Sequence, residues 1–207
     1  MARDDERLAR SQEDPIVGSL PDVPGIGAAM RLTPGLGVHL RGLADELLVS
    51  DFPGASLRRV DREMLATAVS AANDCFFCMD SHGAFANALL EQSGATEHVA
   101  LIDEVKLGSS DGFDAKMQAL LHIARTVRGE PRDLTAADVT AATNAGATDA
   151  DVQLAVLIAS AFSMYNRMVD GLRARTAPSP DAYRARAAEI AEHGYSAPPV
   201  DKVPGRP

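Results

Sequence analysis

The sequence contains only two cysteines in 207 residues, Cys75 and Cys78. Two cysteines are too few for the disulfide framework of a small secreted domain. The chain also lacks a block of clustered lysine and arginine, and its 29 acidic residues outnumber its 20 basic ones, which gives a net charge of −9. This balance argues against a surface that binds nucleic acid or an anionic membrane.

Long apolar runs are missing as well. The first ten residues, MARDDERLAR, are densely charged, and no apolar run of signal-peptide length follows them. The most apolar stretch, around 155–161, is far shorter than the roughly 18 residues that a membrane span needs. We therefore expect a cytoplasmic protein, in which a close cysteine pair indicates redox or metal chemistry rather than a structural disulfide.

The sequence shows neither alternating strand patterns nor internal repeats, and its apolar residues recur at helical spacings of three and four. This spacing is clear over 40–48, 64–72, 117–124 and 152–162. Helix boundaries are marked by Thr135 and Asp138, which resemble a capping box, and by Thr148 or Asp149 before the longest apolar stretch. We predict an all-α bundle of about seven helices.

Three regions are expected along the chain. Residues 1–35 form a partly irregular N-terminal arm that is rich in proline and glycine after residue 14, and residues 36–195 form the all-helical domain. Residues 196–207 form a proline-rich C-terminal tail with no periodic apolar face. Both ends are predicted to be loose or wrapped on a neighbour.

The segment that contains both cysteines is chemically distinctive. Asn73 and Asp74 are good N-cap residues, so a helix is predicted from this point to about residue 92, with Cys75 in its first turn. At about 100° per residue, Cys75, Cys78 and His82 fall within an arc of about 60° on one helix face. The two sulfurs and the imidazole can therefore meet.

A helix start also favours reactivity, because exposed backbone N–H groups and the helix dipole stabilise a thiolate. His82, one turn beyond Cys78, can take a proton from that sulfur or pair with the thiolate. The other cysteine can resolve a sulfenic acid as a disulfide. Cys75 lies nearer the helix start and could have the lower pKa, so the order of the two cysteines stays open.

Glu63 is the candidate partner of His82. If the chain reverses at residues 73–74 and the flanking helices pack antiparallel, the two residues differ in height by roughly 3 Å. In one continuous helix they would be about 28 Å apart. We predict the reversal, and a Glu63–His82–Cys78 proton relay with or without a bridging water.

The spacing of Glu63, Cys75, Cys78 and His82 resembles the signature of the alkylhydroperoxidase-D-like (AhpD-like) branch of the carboxymuconolactone decarboxylase superfamily. The stretches 133–149 and 162–167 look like the downstream part of the same domain in peroxidase-related members, so the resemblance covers about residues 40–172. It implies an all-helical fold that assembles as trimers or hexamers. It also implies thiol-dependent reduction of hydroperoxides.

In that scheme Cys78 attacks the peroxide, Cys75 resolves it as a disulfide, and Glu63 and His82 relay the proton. A dithiol donor of the lipoyl or thioredoxin type then reduces the pair, and no cofactor or metal is implied. The best-known members carry a second histidine immediately before the second cysteine, where this chain has Phe77. Decarboxylase members lack the cysteine pair, so that activity is not expected here.

Other interpretations of the cysteine pair remain. It could be a non-catalytic redox sensor or part of an oligomeric scaffold, or two unreactive buried thiols. A zinc site would need four ligands, and the chain offers one cysteine pair plus His82. The remaining histidines have no ligand spacing and are expected to be structural or solvent-facing; they are His39, His98, His122 and His193.

Two expectations concern apolar surface. Aromatic and methionine side chains near the cysteines are expected to wall the thiol site, which would suit an organic hydroperoxide; they are Phe76, Phe77, Met79 and Phe85. The segment from Val152 to Phe162 is apolar on nearly every side, so it must be buried. A chain of this size could bury it against another subunit, and we expect a homo-oligomer.

Overall fold

The computed structural model describes residues 2–196, and side chains from residue 5 onward. Within this range it contains ten α-helices, three short 3₁₀ helices and no strand. The all-α prediction is confirmed, although the helices outnumber the expected seven because short segments of the arm and the connections also fold. Of the predicted C-terminal tail, only Ser196 lies inside the described residues.

The helices follow one another with short connections. The α-helices are α1 (Ala2–Ser11), α2 (Ile26–Leu32), α3 (Pro34–Leu48), α4 (Arg59–Ala72), α5 (Phe76–Ser93), α6 (Ala100–Lys106), α7 (Ala115–Gly129), α8 (Ala136–Asn144), α9 (Asp149–Gly171) and α10 (Arg184–His193). The 3₁₀ helices are Thr96–His98, Pro131–Asp133 and Pro180–Tyr183.

Helix α4 is the centre of the molecule. It is buried on all sides from Val60 to Ala71, because α5, α6, α7 and α9 pack around it. Most of the largest fully buried apolar side chains come from these helices, among them Leu65, Leu121, Ile158 and Phe162, and α3 adds Leu48. The apolar spacing in the sequence therefore marks the faces that form one continuous core.

Helix α9 forms a second wall of the core. Length and composition alone would allow it to cross a membrane, with a mean hydropathy of 1.2 over 18 residues, but 56% of that stretch is buried inside the fold. Its predicted N-cap is confirmed, since the Thr148 hydroxyl accepts from the Asp151 N–H at 3.0 Å. Asp151 also accepts hydrogen bonds from both backbone and side chain of Ser56, which ties α9 to the segment before α4.

The first residues differ from the expectation of a loose end, because 2–11 form α1. Arg7 of this helix is buried and its Nε donates to Asp80 Oδ2 of α5 at 2.7 Å. The Arg7 guanidinium also lies 5.3 Å from the centre of the Phe76 ring. The sequence carried no apolar stripe to signal this docking, since an ion pair with a distant carboxylate holds the helix in place.

Candidate active site

The chain reverses between α4 and α5, as predicted, but different residues make the turn. Asn73 ends α4, where its amide donates to Asn166 Oδ1 at 2.8 Å, and Asp74 adopts a left-handed conformation with φ of 54°. Cys75 is the N-cap of α5, so the expectation that it lies inside the first turn is wrong. The Asn73 Oδ1 atom, which could have accepted from the next helix as a cap, instead accepts from Arg128 Nε of α7 at 2.7 Å.

Both cysteines are reduced and buried, with 0% of Cys75 and 2% of Cys78 exposed. The hydrogen bond with Cys78, followed by burial, raises the pKa of the Cys75 thiol well above its ordinary value. Cys75 therefore keeps its proton. Because Cys78 lies in the first turn of α5, the helix dipole also favours negative charge there.

Asp170, near the end of α9, lies beside Cys75. Burial raises the pKa of this carboxyl, while a hydrogen bond from the Cys75 thiol acts in the opposite direction. The negative charge of Asp170 in turn contributes to the raised pKa of Cys75. Sequence analysis missed this neighbour, because 95 residues separate the two positions in the chain and no spacing rule connects them.

Glu63 and His82 meet across the reversal, and this part of the prediction is confirmed. The His82 Nδ1 and Glu63 Oε2 atoms are 2.7 Å apart, and both side chains are buried. The Tyr195 hydroxyl donates to the other carboxylate oxygen, Glu63 Oε1, at 2.6 Å. Burial and then the charge of Glu63 raise the pKa of Tyr195, so its hydroxyl remains a donor.

The imidazole is fixed by its surroundings as well as by Glu63. Its ring lies edge-on to Phe162 and Phe85, with centroids 4.6 and 5.2 Å away. Since Nδ1 is committed to Glu63, Nε2 is the nitrogen available for proton transfer. Cys78 lies one turn earlier on α5, and within residues 5–196 no direct hydrogen bond joins its sulfur to the imidazole.

A cavity of about 410 Å³ opens beside His82. Phe77 and Phe85 line it, as expected, whereas Phe76 and Met79 pack against Ala71 in a separate cluster and do not. The cavity stops short of the cysteines. One layer of side chains, Val23, Ile26 and Phe77, both lines the cavity and packs on the apolar cluster that contains the two thiols.

Among the described residues, no group of three or more His, Cys, Asp and Glu side chains could hold a metal ion. The four histidines outside the site are all exposed, as expected from their scattered positions; they are His39, His98, His122 and His193.

Part of this chain, including most of the site, matches the model of a known protein family. The model of the carboxymuconolactone decarboxylase family matches residues 40–126, which include Glu63, both cysteines and His82. The chain is similar to a solved structure described as an alkylhydroperoxidase AhpD core, an uncharacterized peroxidase-related protein from Ralstonia eutropha JMP134. The two share 26% identity and a TM-score of 0.65, over 80% of this chain and 82% of that one. The fold of this chain is therefore AhpD-like, and residues 40–126 are similar to the carboxymuconolactone decarboxylase family.

A second solved structure has the same fold. It is an uncharacterized peroxidase-related protein from Silicibacter sp. TM1040, with 20% identity and a TM-score of 0.64 over 84% of this chain and 93% of that one. No curated protein matches this chain. Two site residues that the sequence patterns did not reveal, Asp170 and Tyr195, lie outside the matched stretch 40–126.

Proposed function

We propose that this AhpD-like protein is a thiol-dependent oxidoreductase of the peroxidase type, which reduces hydroperoxides through Cys75 and Cys78. One observation carries the proposal: the two buried thiols begin the helix on which His82 is held by Glu63 at 2.7 Å. Two adjacent thiols can supply two electrons, and a histidine with an oriented ring can move a proton. The family and the peroxidase-related fold neighbours support this assignment.

In the first step the Cys78 thiolate attacks the outer oxygen of a hydroperoxide, ROOH, and the O–O bond breaks. Cys78 becomes a sulfenic acid, and the leaving alkoxide takes a proton, delivered from His82 Nε2, to give the alcohol ROH. Glu63 is a positioning residue in this step, because its carboxylate holds Nδ1 and stabilises the charged imidazolium. The place of Cys78 in the first turn of α5 favours it as the nucleophile, because the helix dipole stabilises a thiolate there.

In the second step the Cys75 sulfur attacks the sulfenic sulfur, a disulfide forms and hydroxide leaves. The Cys75 proton combines with hydroxide to give water, and Asp170 is placed to accept it on the way. A dithiol donor of the lipoyl or thioredoxin type, in a reducing cytoplasm, then exchanges with the disulfide and is itself oxidised. The sum is one hydroperoxide and one dithiol converted to an alcohol, water and a disulfide, with no cofactor invoked.

A redox sensor is the second candidate, and the burial of the thiols favours it. Leu20, Val23 and Ile26 of the N-terminal arm pack on the cluster that contains both cysteines. Forming a disulfide there would change the surface on which the arm rests. A sensor would therefore couple oxidation to the position of the arm and would react once, without recycling.

Trapping of the oxidised sulfur tests the proposed chemistry. After one equivalent of hydroperoxide, a sulfenic acid should persist in Cys75→Ser and be absent from Cys78→Ser, as read by mass spectrometry with a sulfenic-acid probe. The reverse pattern would make Cys75 the nucleophile. No sulfenic acid in either variant, and no disulfide in the unmodified chain, would overturn the proposal.

A further inference from the structure

The cavity beside His82 combines an apolar interior with cationic side chains. Its apolar walls come from the arm, α5 and α10, and include Val23, Ile26, Met30, Phe77, Phe85 and Ile190. Three arginines also line it: Arg31 from α2, Arg41 from α3 and Arg186 from α10. A volume of about 410 Å³ is large enough for an organic molecule, since ligand sites typically span about 300–1,000 Å³.

The positive charge of this cavity is not balanced from within. None of the described residues that line it is Asp or Glu. Arg186 pairs with Glu189 at 2.7 Å, but within residues 5–196 neither Arg31 nor Arg41 forms an ion pair or a side-chain hydrogen bond. Two free guanidinium groups at an apolar cavity are unusual in a chain whose net charge is −9.

We propose that this cavity binds organic acids, with the apolar body against Phe77, Phe85 and Ile190 and the carboxylate on Arg31 and Arg41. Guanidinium groups bind carboxylates through paired, charge-assisted hydrogen bonds, and the apolar walls supply the remaining affinity. His82 lines the same cavity. The substrate of the redox reaction is then the hydroperoxide of an organic acid; that assignment rests on the proposed function, whereas the binding itself does not.

Binding can be measured on the reduced protein without any turnover, by isothermal titration calorimetry. Decanoate has both a long apolar chain and a carboxylate. The ligand 1-decanol has the apolar chain without the charge, and acetate has the carboxylate without the long chain. Decanoate should bind about tenfold or more tightly than either of the others, because decanol lacks the carboxylate that the arginines bind and acetate lacks the apolar chain that the walls bind. Equal binding of decanoate and decanol would overturn the proposal, as would failure of decanoate to bind.

A double variant, Arg31→Gln with Arg41→Gln, should weaken decanoate binding about tenfold and leave decanol binding unchanged. Arg132→Gln, at an exposed arginine in the connection between α7 and α8, is the matched control and should bind decanoate normally. Retained affinity in the double variant would overturn the assignment of the two arginines. Cys78 does not line the cavity, so Cys78→Ser should bind decanoate with unchanged affinity. Binding is thus tested separately from peroxidase activity, and a protein without that activity could still bind organic acids.

Discussion

Glu63 is a fully buried acid that has a donor on each carboxylate oxygen. His82 bonds to one oxygen and the Tyr195 hydroxyl to the other. A buried carboxylate with both oxygens satisfied is held in one orientation, and so is the imidazole it contacts. The helical spacing was sufficient to predict the meeting of Glu63 and His82, but not the third partner, which arrives from a segment 113 residues after His82.

Tyr195→Phe tests this arrangement. Removing the hydroxyl leaves Glu63 Oε1 without its donor, so we expect a loss of about 1–3 kcal/mol in the free energy of unfolding, measured by chemical denaturation. Peroxide reduction should fall as well, because Glu63 and His82 lose their fixed geometry. Tyr165→Phe removes a hydroxyl that donates to the Leu40 carbonyl at 2.8 Å, outside the site, and should leave the reaction rate unchanged. A fully active and stable Tyr195→Phe protein would contradict the account.

Phe77 controls access to the thiols. Its ring lies between the cavity and the cysteine cluster, and it packs edge-on against Tyr183 with centroids 5.5 Å apart. Gly25 lies so close that a Cβ there would overlap the ring, and its φ of 54° also favours glycine. The arm and Phe77 therefore form one covering layer over Cys75 and Cys78.

Phe77→Ala should open this layer. We expect alkylation of the cysteines by iodoacetamide to accelerate about tenfold, which corresponds to an opening free energy lowered by about 1.4 kcal/mol. Phe113→Ala removes a half-buried ring in the connection before α7 and serves as the control. Equal alkylation rates in all three proteins would show that the thiols are reached by another route.

At the scale of whole elements, sequence patterns were most informative where a helix is defined by its own apolar face. The boundaries of α8 and α9 follow capping boxes that are visible in the sequence. The turn between α4 and α5 was predicted in place but not in detail, because the bonding of Asn73 depends on Asn166 in α9. Helix α1 was missed for a related reason, since its stability depends on Asp80 rather than on its own pattern.

Asp151 joins helix α9 to the segment before α4 through hydrogen bonds from Ser56 and Leu57. Burial alone would raise the pKa of its carboxyl, but hydrogen bonds from Thr148, Ser56 and Leu57 outweigh it and lower the pKa below 3.8. A carboxyl with a lowered folded-state pKa adds stability above its unfolded pKa and loses it as pH falls through the folded value.

Asp151→Asn should therefore lower the free energy of unfolding by about 1–3 kcal/mol at pH 7. The difference from the unmodified chain should shrink as the pH falls below 3.8, because the wild-type carboxyl is then losing its charge. Denaturation curves at several pH values measure both effects. Asp149→Asn, two residues earlier in the same first turn of α9 and exposed, is the control and should cost less than about 1 kcal/mol. A pH-independent difference would contradict the role of the charge.

At the scale of the whole molecule, helices α3 and α9 each present large apolar side chains to solvent. Leu157 and Met164 are seven residues apart on α9 and each is 39% exposed, and Leu36 and Leu43 have the same spacing on α3 at 52% and 39%. Helices α3 and α9 are in contact. Most of α9 is covered within the chain. Only its exposed face, which carries Leu157 and Met164, is left to be buried against another subunit.

We expect the chain to assemble through these two helices. Leu157→Glu with Met164→Glu should shift the expected homo-oligomer towards monomer in light scattering coupled to size exclusion. Leu107→Glu is the control, because Leu107 is also apolar and 77% exposed but follows α6. An oligomer that survives the double change, or a monomeric unmodified chain, would exclude this interface.

The number of hydroperoxide molecules that each protein chain consumes distinguishes a catalytic thiol pair from one that is oxidised only once. With excess hydroperoxide and a recycling dithiol of the lipoyl or thioredoxin type, we expect each chain to consume many equivalents of hydroperoxide. The Cys78→Ser variant should consume none. Consumption that stops after one equivalent would indicate the redox sensor instead. Turnover that continues in Cys78→Ser would contradict the central claim that Cys78 is the nucleophile.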